Sequence, residues 1–321
     1  MTMAFRDVVG HQGPLQIIRR AITAQRVHHT YLFTGMDGIG KRLVALNMAK
    51  ALNCADQTDE ACDHCPACQR IAKGVHPDLI LINPVGETIK IGQIRELQQS
   101  LALKPFEARW RVIIVDGAER MTREAANALL KTLEEPPPWT IIILSATTIE
   151  ALPATVLSRC QRIRFNPLSR GEVAEVLVDH LPAERIDIVA PLAGGSPGRA
   201  LRIDWEELTK AKGALSAVLS PSLTQRLRVA QELAHEEERG RMLLEILGSW
   251  FRDLIVYQET GEKGMLLNHD LVDEIKRDAA NRKIEGLLQD FWSLLQIQQG
   301  LEAHGNLQLS LESALVGIGG A

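Results

Sequence analysis

The sequence predicts an α/β domain built on a parallel sheet, followed by a small helical segment and a larger all-α domain. Three observations predict it. Short, wholly apolar runs at 79–82, 112–115 and 141–144 alternate with stretches of helical period, as in a sheet covered on both faces. A strand-like run at 31–33 passes into Gly35-x4-Gly40-Lys41 and then into a helical segment. After Pro167 no strand is legible, and the pattern stays helical. The boundaries expected on this reading are residues 1–167, 168–204 and 205–321.

Residues 5–25 open with a short loop through Val9, Gly10, His11 and Gln12. An amphipathic helix follows, with Leu15, Ile18, Ala21 and Ile22 on one face. The strand 31–33 feeds the glycine loop, and a helix runs from Lys41 to about Leu52. A cysteine-rich insert spans 54–76, and the strand 79–82 is stopped by Asn83 and Pro84. Ile91, Ile94, Leu97 and Leu101 have helical spacing that Pro105 ends. The strand 112–115 closes on Asp116. Thr122 then caps a helix whose apolar positions are Ala125, Ala126, Leu129, Leu130 and Leu133. Glu134, Glu135 and three prolines stop that helix, and 141–144 and 163–165 complete the strands. Short helices are expected over 169–180 and 185–192, with a turn at 194–198 and another helix from Arg199. Later breaks fall near Ser220 and Pro221, at 261–264 and at Gly305.

With 321 residues the chain is long enough for two or three cores. No apolar run approaches a membrane span, and residues 1–7 lack a secretory pattern, so a cytoplasmic location is expected. The net charge of −4 gives no overall basic field for nucleic acid, so any DNA contact is local or made through partners. Arg109, Arg111 and Lys131 are read as solvated charges, with a DNA-facing role as the other reading. Leu243, Leu244, Leu247, Trp250 and Phe251 are read either as core or as a surplus of apolar surface for subunit contacts.

The glycine loop carries the first piece of chemistry. Gly35, Gly38 and Gly40 let backbone N–H groups close around phosphate oxygens, Lys41 adds charge, and the following helix points its positive end at the same anion. Such a loop ordinarily continues with Ser or Thr, whose hydroxyl ligates magnesium; here it continues with Arg42, which has no acceptor atom. The strand 112–115 supplies the acid, Asp116, but the next residue is Gly117 where a catalytic glutamate is wanted. Glu119 is expected to point elsewhere. Nucleotide binding is therefore possible and efficient hydrolysis is not expected. Thr147 and Thr148, just past a strand, are placed where a hydroxyl could face a γ-phosphate. Arg159, within Ser158-Arg159-Cys160, is placed to be offered in trans to a neighbour's nucleotide.

Cys54, Cys62, Cys65 and Cys68 follow C-x7-C-x2-C-x2-C, a spacing that lets four sulfurs close a tetrahedral site. Structural zinc is the leading reading, with free loop thiols and an iron–sulfur or redox role as the others. Four cysteines leave no open position for catalytic water, and His64 and His76 are expected around the site or at the surface rather than as ligands.

Taken together, Val9-Gly-His-Gln12, the loop from Gly35 to Lys41, the four-cysteine insert, Asp116-Gly-Ala-Glu119, Asn127-Ala-Leu-Leu-Lys-Thr-Leu-Glu-Glu-Pro-Pro137, Ser158-Arg-Cys160 and Gly195-Ser-Pro-Gly-Arg199 resemble the clamp-loader branch of the AAA+ ATPases. The resemblance covers the first two hundred residues or so by motif, and the remainder only as a helical domain. It implies an AAA+ domain, a small helical lid (168–204) and a helical collar (205–321) joining subunits into a hetero-pentamer. It implies gamma/tau and delta subunits as partners. The sliding β clamp and primer-template DNA are engaged through the complex. It gives Arg159 the role of arginine finger and makes Arg199 the lid arginine. Arg42 and Gly117 point to the stator of that assembly rather than to a gamma/tau-type ATPase, which stays the alternative. An unrelated P-loop switch or helicase motor is disfavoured by the Ser-Arg-Cys and Leu-Glu-Glu-Pro-Pro stretches. No carboxylate constellation for nucleotidyl transfer is visible, so polymerase chemistry belongs to the holoenzyme.

Overall fold

The computed structural model describes residues 4–220, 222–302 and 305–318. Pro221 of one expected break and residues 319–321 of the last segment lie outside the described residues. The chain folds as two compact units. One runs to Val176 and takes back Gly195–Arg199; the other comprises Leu177–Gly194 and the residues from Ala200 on.

The first unit is a five-stranded parallel sheet flanked by helices. In chain order its elements are α1 (Gln12–Thr23), β1 (Thr30–Thr34), α2 (Lys41–Asn53), α3 (Pro66–Ala72), β2 (Leu79–Ile82), α4 (Ile91–Leu101), β3 (Arg111–Val115), α5 (Arg123–Glu134), β4 (Thr140–Ala146), α6 (Ala154–Leu157), β5 (Gln161–Arg164) and α7 (Arg170–Leu177). The sheet order is β2-β3-β4-β1-β5, and every pairing is parallel, as the alternation of apolar runs and helices implies. The apolar runs form strands because both faces are buried. Tyr31, Phe33, Val112, Ile114, Ile141 and Ile143 pack in one layer with Ile18 and Met48. Their neighbours Leu32, Ile113, Val115, Ile142 and Leu144 pack in the other with Leu97 and Leu129. Thr122 caps α5 as expected, its Oγ1 accepting from Ala125 N at 3.2 Å. α3, inside the cysteine insert, is a helix the spacing did not announce; Cys65 caps it and Pro66 opens it.

The second unit is helical: α8 (Ala183–Leu192), the end of α9 (Pro197–Arg202), α10 (Trp205–Val218), α11 (Leu223–Ala234), α12 (Glu237–Thr260), α13 (Val272–Asn281), α14 (Ile284–Glu302) and α15 (Leu307–Gly317). The long α12 packs against α10, α13 and α14, while α11 packs on α15. Leu243, Leu244, Leu247, Trp250 and Phe251 are all buried along α12. They are core, and the reading of them as spare apolar surface for subunit contacts is corrected, because the neighbouring helices, α10, α13 and α14 foremost, cover that helix. Asp253 is buried beside them and accepts from Leu267 N and Asn268 N at 2.9 and 2.8 Å, which fixes the turn after α12. Among the described residues no helix is long and apolar enough to cross a membrane.

Candidate functional site

The site lies at the carboxyl ends of β1, β3 and β4, where open α/β sheets take ligands. β1 ends at Thr34, and Gly35, Gly38 and Gly40 turn the chain with φ of 152°, 72° and 107° into α2. A side chain is barred at Gly38 for a second reason. A Cβ there would stand 2.7 Å from Ser196 Oγ and 3.0 Å from the Cα of Gly198. The loop is strapped by that segment: Gly198 N donates to Gly38 O at 2.9 Å, and the fully buried Ser196 donates its hydroxyl to Asp37 O at 2.7 Å. Arg199 N lies in the same contact, so the backbone of the expected lid arginine is brought to the loop. His11 Nε2 donates to Ile39 O at 2.9 Å from the other side, and burial lowers its pKa against the opposing effects of Ile39 O and Glu172.

Lys41 is folded onto the loop, its Nζ donating to Gly35 O at 2.6 Å and Met36 O at 2.9 Å. Burial lowers its pKa, while Asp37, Glu119 and Asp116 act to raise it. The presence of Glu119 here corrects the expectation that it points away. Gly117 adopts a left-handed conformation (φ 74°) and starts a tight helical turn over Ala118–Arg120. That turn returns Glu119 to Thr147, whose hydroxyl donates to Glu119 Oε1 at 2.7 Å. Thr147 is therefore in the site, but with its hydroxyl engaged by protein.

Asp116 is engaged unequally at its two oxygens. Oδ1 accepts from the Ser145 hydroxyl, and Oδ2 faces Arg42 Nη1 at 3.6 Å. The same Nη1 reaches Asn83 Oδ1 at 3.4 Å. A magnesium ion would require an oxygen ligand at 42 and an available acid at 116. These residues do not fit one: a guanidinium stands where the hydroxyl should be, directed at the acid. Ser145 and Asn83 were missed by sequence reasoning. Their signals were faint but present, as a lone hydroxyl ending an apolar strand and an amide just before Pro84.

The second group lies at the end of α6. Ser158 caps that helix, and Arg159 donates through Nη1 to Thr155 O at 2.8 Å and through Nη2 to Glu134 Oε1 at 2.6 Å. Both charged side chains remain substantially exposed. Cys160 turns inward, and burial pushes its thiol up to about 11, so it is a packing residue rather than a nucleophile.

The third group is the insert. The sulfurs of Cys54, Cys62, Cys65 and Cys68 lie within 4.8 Å of one another, in a set that could hold a metal ion. Backbone N–H groups of Cys62, Cys65 and Cys68 donate to Cys54, Cys62 and Cys65 sulfur at 3.4, 3.3 and 3.5 Å. Such donors favour thiolate: burial acts to raise the Cys65 pKa, but donors including the Ala55 and Cys68 amides bring it down to about 6. Burial raises Cys68 instead. The donor set fits a soft, four-coordinate metal such as zinc. The knuckle is tied to its surroundings by a buried pair, Lys50 Nζ to Asp63 Oδ1 at 2.6 Å. Glu60 adds to this by accepting from Phe5 N and Arg19 Nη2 at 2.8 and 2.6 Å. His64 is exposed, as expected, and donates to Cys62 O. His76 is instead buried, 3.6 Å from Glu107.

Arg111, read as a surface charge, is also buried. It pairs with Asp78 at 3.4 Å and donates to the carbonyls of Ser100, Leu103 and Lys104. A DNA-facing role for it is set aside on that geometry.

A family profile described as DNA polymerase III, delta subunit, matches residues 10–169, and one described as DNA polymerase III, delta subunit, C terminal, matches residues 206–319. The DNA polymerase III subunit delta' of Bacillus subtilis is 29% identical over 93% of this chain and 93% of its own length. The DNA polymerase III subunit gamma of Buchnera aphidicola subsp. Acyrthosiphon pisum is 35% identical over 57% of this chain. The match spans only 51% of that relative. Among solved structures, a DNA polymerase III gamma subunit-related protein from Thermotoga maritima aligns over 94% of this chain and 97% of its own, at 19% identity and a TM-score of 0.49.

Proposed function

The chain belongs to the clamp-loader family of DNA polymerase III subunits, and within it we propose that it is the delta-prime-type stator. In this reading it assembles with gamma/tau and delta subunits in the cytoplasm, into a pentamer that loads the sliding β clamp on primed DNA. It hydrolyses little or no ATP itself and offers Arg159 to the ATP of a gamma subunit. Residues 168–204 act as the lid and 205–321 as the collar. Leu288 and Trp292, one turn apart on α14 and 41% and 62% exposed, are available to a partner in that collar. Zinc in the four-cysteine site holds the insert against α1 and α2.

One observation carries the reading. Arg159 stands partly exposed just past the C-cap of a short helix, while the chain's own site has glycine at 117 where hydrolysis wants a carboxylate. The test is turnover by the complex reconstituted with Arg159→Ala. A trans arginine is worth about 10³-fold or more, so ATPase should fall by that factor with assembly intact. Unchanged turnover would sink the donor role. Metal analysis tests the insert separately, with about one zinc per chain expected and none after Cys65→Ser with Cys68→Ser.

The contact of Glu119 with Thr147 favours the second reading, a gamma/tau-type ATPase in which Glu119 replaces the missing carboxylate. Hydrolysis by the purified chain that disappears in Glu119→Gln would put that reading first.

A further inference from the structure

We propose that Arg42 is a tethered cation in the place of the magnesium ion, so that this loop takes a nucleoside polyphosphate free of metal. The proposal rests on reading residues 35–41 as a phosphate loop, and it does not need the donor role of Arg159.

A divalent ion in such a site neutralises phosphate charge and is held by one hydroxyl and one carboxylate. Here the hydroxyl is absent, and the carboxylate of Asp116 is shared between Ser145 and Arg42. An entering cation would meet the positive charge of Arg42 beside Asp116 and no hydroxyl at position 42. A polyphosphate meets the opposite situation. Lys41 and Arg42 are the first two residues of α2, and its first turn holds no acidic residue. Two cations raise the positive potential at this end of the helix; Asp116 answers Arg42 only at 3.6 Å and Lys41 is held by carbonyls rather than by an acid, so a phosphate would supply the anion this end favours. The contacts of Arg42 to Asp116 and Asn83 both run through Nη1. A guanidinium has five donors in a planar fork that matches a pair of phosphate oxygens. The side chain is 47% exposed and so within reach of a ligand entering from solvent. Arg42 thus supplies charge as a metal would. It cannot, however, carry or position water, which agrees with a site that binds without turning over.

The experiment is equilibrium binding of ATPγS to the full chain, in excess EDTA and in excess magnesium. The wild-type chain should bind equally in both. Arg42→Thr should lose on the order of tenfold in EDTA, one charge-assisted contact's worth, and recover it with magnesium. Arg42→Lys keeps a cation and should stay metal-independent, which separates loss of charge from loss of fold. Wild-type binding that tightens tenfold or more with magnesium would overturn the proposal, and so would no binding in either buffer. Neither result touches the Arg159 reading, which stands or falls on turnover of the complex.

Discussion

Strand β3 carries an arginine–aspartate pair at each end. At its start, Arg111 meets Asp78 at 3.4 Å; just past its end, Asp116 meets Arg42 at 3.6 Å. The distances are alike and the surroundings are not. Asp78 also accepts from the backbone N–H groups of Phe106, Glu107 and Ala108 at 2.7, 2.9 and 2.9 Å, and both partners are buried. Asp116 and Arg42 stay 33% and 47% exposed. A buried pair whose carboxylate oxygens and guanidinium Nη groups are all hydrogen-bonded inside the fold is architecture. A pair left open to solvent can exchange one partner for a ligand.

That difference can be broken by mutation. The largest effect expected is for Arg111→Ala, which strands a buried carboxylate and three carbonyls. Denaturant midpoints should report a loss of about 3–5 kcal/mol. An intermediate effect is expected from acid. Burial alone would raise the Asp78 pKa, but the three amides and Arg111 outweigh it and hold the carboxyl below its ordinary value. Such a group stabilises the fold above its unfolded pKa, near about 3.9, and loses that contribution as pH falls through the folded value. Urea midpoints of the wild-type chain should therefore drop below about pH 4, and drop less in Asp78→Asn. Smallest is Arg42→Ala, which should change stability by less than about 1 kcal/mol because its pair is solvent-screened. A loss there matching that of Arg111→Ala would make both ends architectural and remove the ground for ligand exchange at Arg42.

Much of this domain was legible in order of chemistry. The apolar runs became strands because only a doubly covered sheet can bury Ile113 and Ile114 on opposite faces. The glycines, Lys41, Asp116 and the four cysteines were found because their spacing is local. What escaped depends on strand order. Ser145 reaches Asp116 only because β3 and β4 are neighbours, and Asn83 reaches Arg42 only because β2 lies beyond β3. Arg111 looked like a surface charge because nothing in its own sequence neighbourhood reveals Asp78, on the preceding strand's approach. Glu119 was misplaced because its return depends on the left-handed turn at Gly117.

The backbone contact between Gly38 and Gly198 bears on how such a sequence can drift. A Cβ on Gly198 would lie 2.7 Å from the Cα of Gly38, and one on Gly38 would lie 3.0 Å from the Cα of Gly198. Main chain touches main chain, so no change at one position can make room for a side chain at the other. Two residues far apart in the gene are thereby frozen as a pair. A lineage could abandon nucleotide chemistry at 42 and 117 and still be obliged to keep both glycines, so the loop would go on looking like an ATPase long after it had stopped being one.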